Sequence, residues 1–128
     1  MISTFAAYVF AALTATVIFF QLALAAGMPW GIFAWGGKFP GRLPNYMRIA
    51  SVASSFLLLT LGGVVLARAG IALPNWQLSS QTLVWAVVAY CALGVIANAI
   101  TPSPRERIIW LPVTLLLLAS SIVVATGR

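Results

Sequence analysis

The sequence predicts an all-α fold, a four-helix transmembrane bundle running up-down-up-down with a first connection rich in glycine and tryptophan. Three observations predict it. Hydrophobic residues make up 62% of the chain and charged residues 6%, against roughly 25% charged in a typical soluble domain, so lipid must solvate most of the surface. Four apolar runs, each near the roughly 20 residues that cross a hydrocarbon core of about 30 Å, predict helices at about 2–26, 46–69, 82–100 and 106–125. The runs lack the polar alternation of a membrane barrel, and backbone groups in lipid must pair within their own segment, so the runs are helices. With 128 residues, the chain is read as one transmembrane domain, 1–128.

The first run has a rival reading, because Ala23-Leu24-Ala25 has the form of a signal-peptidase site. It lacks a basic n-region, however, and its apolar stretch exceeds the usual leader core of about 7–15 residues. A retained helix is expected, ended by Gly27, Met28 and Pro29. The connection over 27–44 holds five glycines, three prolines, Trp30, Phe33, Trp35 and Phe39, but few polar groups besides Lys38 and Arg42. A solvated loop would be more polar, so this one is expected in the headgroup layer or folded back on the bundle. Gly70 and Pro74 end the second helix. Thr101-Pro102-Ser103-Pro104 separates the third from the fourth, and Pro112 lies early in the fourth, where a missing donor costs little. Short connections make consecutive helices antiparallel neighbours.

The net charge of +6 belongs to cations at the ends of apolar runs, which points to anionic headgroups and membrane lipids as partners and away from nucleic acid. In the up-down reading one side carries Lys38, Arg42, Arg48, Arg105 and Arg107, and the other only Arg68 and Arg128. The positive-inside rule then places both basic connections in the cytoplasm and both termini outside a cell membrane. Cys91 is the single cysteine, and the chain has no His and no Asp. That leaves too few ligands for protein-held zinc, haem or copper, so no metal or cofactor is expected. It also removes the Ser-His-Asp and Cys-His routes to catalysis, and the reading is of a non-enzyme.

Glu106 is the only acidic side chain. Gln21 near the end of helix one, Arg48 at the start of helix two, Asn98 near the end of helix three and Glu106 before helix four map to one membrane depth. Polar groups inside spans usually face the bundle interior and pair there. Arg48 and Glu106 are therefore expected to form an ion pair that staples the helix ends. The flanking Arg105 and Arg107 favour a carboxylate that stays charged, which argues against a proton switch. Trp30 and Trp35, set among glycines, are candidate walls of a pocket over this cluster, and Tyr90 lies with Ala86, Gly94 and Asn98 on one face of helix three. Trp76, Trp85 and Trp110 fall near helix ends, where an interfacial aromatic belt accounts for them.

The stretches LALAAGMPWGIFAWGGKFPGRLPNYMRIAS (22–51) and NAITPSPRERIIWLPV (98–113) resemble a family of small bacterial four-helix integral membrane proteins that has no assigned activity. The resemblance covers nearly the whole chain. It implies the same architecture and transfers no catalytic or binding residue. The functional expectation is a non-enzymatic membrane protein, a scaffold, accessory or ligand-binding subunit that self-associates. The alternative is a small-solute transporter or channel formed by an oligomer.

Overall fold

The computed structural model describes residues 2–127. They form four long helices, α1 (Ile2–Ala26), α2 (Asn45–Arg68), α3 (Gln77–Ile100) and α4 (Pro104–Ala125), with 3-10 turns at Gly31–Phe33, Trp35–Gly37 and Pro74–Trp76. Each long helix carries a window apolar enough to cross a membrane, so the protein is a multi-pass membrane protein. Exposure supports lipid as the solvent: Phe5 and Phe19 are each 72% exposed and Phe56 67%. In water such a surface would drive aggregation.

Two helices end as the glycines predict. Gly27 and Gly70 both take a left-handed backbone, and the next residue reaches back across the last turn, Met28 N to Ala23 O at 3.0 Å and Ile71 N to Leu66 O at 3.0 Å. Such closure satisfies carbonyls that the helix itself leaves open. The start of α3 differs from expectation. The apolar run begins near residue 82, but the helix begins at Gln77, straight after the Pro74 turn. Gln77, Ser79 and Gln81 are exposed polar residues on this first turn, while Ser80 is buried and donates its hydroxyl to Gln77 O at 2.6 Å, so polarity here does not mark a loop.

α1 packs most extensively on α2 and α3 on α4, as two hairpins, and α1 also lies along α4. α2 and α3 are the least closely joined neighbours, and α1 and α3 face each other diagonally with little contact. At the hairpin contacts a Cβ on Gly62 would lie 3.7 Å from Thr14 and one on Gly94 3.7 Å from Thr114, ordinary contact distances at which a small side chain fits. One half of the bundle is a dry core in which Ala7, Val65, Val84 and Val124 have no exposure. A second, smaller core of Leu24, Ala34 and Leu43 sits at the other end, packed by Phe20, Trp30, Trp35, Phe39 and Met47.

Candidate functional site

The first connection folds back over the basic end of the bundle and is tied to the start of α4. Ser103 is the cap that organises this junction. Its Oγ accepts from Glu106 N at 3.2 Å and donates to Ile32 O at 3.0 Å. Ser103-Pro104-Arg105-Glu106 has the spacing of a capping box, in which the glutamate would reach back to the cap's own N–H. Here Thr101 Oγ1 accepts from Ser103 N at 3.3 Å, and the glutamate is free to do something else. Its Oε2 accepts from Gly36 N in the connection at 2.9 Å. Trp110, one turn further along α4, donates Nε1 to Phe33 O at 2.8 Å. Three hydrogen bonds from α4 and its cap thus hold the 32–36 segment as a cover.

Beneath this cover, between the two cores, lies a cavity of about 420 Å³. One stripe of each helix lines it: Phe10, Thr14, Val17 and Gln21 from α1; Ser54, Leu58 and Leu61 from α2; Tyr90, Gly94 and Asn98 from α3; Glu106, Trp110, Val113 and Leu117 from α4. These positions recur at three- and four-residue spacing, so a single face of every helix looks inward. Small side chains at Ser54, Gly94, Ala97 and Thr114 leave the space, and Phe33, Ala34 and Trp35 roof it. Leu93 and Ala97 line it too and are exposed, so the cavity reaches the lipid-facing surface along α3.

Gln21, Asn98 and Glu106 of the expected cluster share this cavity, as do Tyr90 and Trp35 of the expected wall. Asn98 donates Nδ2 to Gly94 O at 2.8 Å. Trp30 stands behind the wall, stacked on Phe20 with ring centroids 6.2 Å apart, while Phe20 meets Trp110 at 4.8 Å on its other side. Arg48 is not part of the site. Its Nε donates to Ala25 O at 2.7 Å, and the expected Arg48–Glu106 ion pair is absent among the described residues. The reason is positional: α2 packs chiefly on α1, and the first turn of α2 lies beside the open carbonyls of the α1 C-terminus, which attract a cation. Arg107 likewise donates to a backbone carbonyl, Thr101 O. Trp110 also corrects the belt reading, since it is half-buried, lines the cavity and holds the cover.

The cavity has polar atoms without partners. Thr14 Oγ1, Gln21 Oε1 and Trp35 Nε1 are buried and make no hydrogen bond, and Thr14 is only 3% exposed. Trp35 holds a left-handed backbone, φ 52°, a conformation costly for a bulky residue and often found where geometry serves a site. Ser103 and Trp110 are among the site residues that sequence reasoning missed. The S-x-x-E spacing signalled the first, while nothing local distinguished Trp110 from an interfacial tryptophan. No group of three His, Cys, Asp or Glu side chains able to hold a metal occurs among the described residues.

The fold and site define a class, a transmembrane four-helix bundle with a covered internal cavity. A scan against protein-family models found no match, and neither did searches of curated proteins and of solved structures.

Proposed function

We propose that the protein is a non-enzymatic ligand-binding membrane protein, acting as an accessory or scaffold subunit whose ligand sits in the covered cavity. The observation that carries this reading is the cavity itself: about 420 Å³, within the range of small-molecule sites, with three buried polar atoms left unpartnered. A packed core normally leaves neither voids of this size nor unpaired polar groups. The resemblance to small bacterial four-helix membrane proteins agrees with the architecture. The basic end, with Lys38, Arg42, Arg105 and Arg107 exposed, is placed at the cytoplasmic face of a cell membrane against anionic headgroups, with both termini outside. Self-association through the lipid-facing surface is part of the proposal.

The transporter reading draws on the same cavity, but the dry core around Val65, Val84 and Val124 closes the far half of a single chain. A path would have to come from an oligomer or a large rearrangement, so ligand binding is favoured. Gly94 lines the cavity, and its Cβ position touches only Thr114 at an ordinary distance, so Gly94→Leu occupies the space. The test is mass spectrometry of the gently extracted protein under native conditions, combined with titration of its tryptophan fluorescence by small apolar amphiphiles. A retained small molecule or saturable quenching, lost in Gly94→Leu, is expected. No retained molecule and no saturable quenching in the native chain would overturn the reading.

A further inference from the structure

We propose that the cavity is built for an organic monocation, an amine or quaternary ammonium group on an aromatic or branched apolar body, with the cationic head beside Glu106. This rests on the ligand-binding reading and names the ligand's chemistry. Charge placement is the first argument. The chain carries seven basic residues and one acid, yet the acid is 9% exposed and lines a cavity that has no lysine or arginine among its described lining residues. The basic residues at this end are engaged or exposed: Arg48 on Ala25 O, Arg107 on Thr101 O, and Lys38, Arg42 and Arg105 exposed. A buried carboxylate normally has a counter-charge. Gly36 N–H and the α4 N-terminus offset part of its desolvation, and a ligand cation completes the site.

The walls give the second argument. Phe20, Phe33, Trp35, Tyr90 and Trp110 all line the cavity, and aromatic faces attract a desolvated organic cation while also packing an apolar body. The unpartnered Thr14 Oγ1 and Gln21 Oε1 add acceptors to an interior whose only charge is negative. Trp35 Nε1 is an unpartnered donor there, and the Thr14 hydroxyl can also donate, so the ligand can carry an acceptor as well. A bare alkali or alkaline-earth ion does not fit, because one carboxylate among aromatic rings falls short of the six or more oxygens such ions take. The opening along α3 toward lipid suits a molecule that partitions into the membrane before it binds.

The test uses three probes of one shape on the whole protein in an uncharged maltoside detergent: benzyltrimethylammonium, its neutral isostere neopentylbenzene, and the anion benzylsulfonate. Cys91 is the single cysteine, is buried and lines the cavity, so protection of its thiol from alkylation reports occupancy. Saturable protection by the cation at a Kd at least about 10-fold below the neutral probe's is expected, with none by the anion. Glu106→Gln keeps an acceptor for Gly36 N–H. It is expected to weaken the cation about 10-fold, which is about 1.4 kcal/mol, and to leave the neutral probe unchanged. Equal protection by cation and neutral probe overturns the monocation and leaves the ligand-binding reading standing. A cation preference that survives Glu106→Gln overturns the assignment of the head to Glu106. Protection by none of the three overturns both readings. The three-probe comparison on the native chain stands even where the variant fails to fold.

Discussion

At the scale of single residues, the chain's one acid forms no ion pair with an arginine among the described residues, although their spacing in sequence invites one. The helix register decides this. Arg48 faces the carbonyl end of α1 and Glu106 faces Gly36, each with a backbone partner at hydrogen-bond distance. A double-mutant cycle on Arg48 and Glu106, read by denaturation in mixed micelles, is therefore expected to give a coupling below about 0.5 kcal/mol, as for independent sites. A coupling of several times that size would restore the ion pair. The single change Glu106→Ala is expected to cost about 1 kcal/mol in the same assay, because it strands a half-buried N–H of the connection. Glu106→Gln is expected to cost less. That Glu106 is special was legible from its being alone. Its partner was not legible, because a backbone N–H has no sequence signature.

At the scale of elements, the first connection is the part whose composition spoke and whose geometry did not. Its glycines, prolines and aromatics excluded a solvated loop, and the sequence left open whether it lay in the headgroups or on the bundle. Long-range hydrogen bonds from Ser103 and Trp110 to Ile32 and Phe33 fix it on the bundle. Gly31 is the tightest point, since a Cβ there would lie 1.8 Å from Phe39 O and 2.7 Å from Gly41 O, and Gly31 N donates to Gly41 O at 2.8 Å. Gly31→Ala must therefore open the connection. The helices remain, so circular dichroism is expected to be unchanged while limited proteolysis cuts within 31–41 much faster than in the native chain. Ser103→Ala is expected to act more mildly, losing about 1 kcal/mol with the helix cap and loosening the same segment. If protease resistance in the connection survives both changes, the tie between α4 and its cover is not what holds it. The four helices themselves were legible because lipid demands long apolar runs with internally paired backbones. The start of α3 was not legible, because its first residues, Gln77, Ser79, Ser80 and Gln81, are polar although helical.

At the scale of the whole molecule, the bundle divides into halves with different physics. The half around Ala7, Val65, Val84 and Val124 is packed at its centre, with a groove between α2 and α3 lined by Gly63, Ala67, Trp76 and Ser80, while the basic half holds the larger cavity, its cover and its opening along α3. Three of the four residues expected to cluster at one depth, Gln21, Asn98 and Glu106, do line that cavity, because antiparallel helices of similar length bring the end of one beside the start of the next. The cavity between them was illegible, because it depends on which small side chains face inward together. This asymmetry makes orientation a functional matter as well as a topological one. Under the proposed orientation the covered, basic end faces the cytoplasm, and a ligand arriving from the membrane would be held at the inner leaflet. Single cysteines at Lys38 and at Asn75, introduced into a chain with Cys91→Ala, decide it when probed in intact cells with a thiol reagent that does not cross the membrane. Lys38 and Asn75 are both exposed and lie at opposite ends of the bundle. Labelling at Asn75 alone is expected. Labelling at Lys38 alone would invert the topology and put the cavity on the outer leaflet, with its chemistry unchanged but its supply of ligand drawn from the other side.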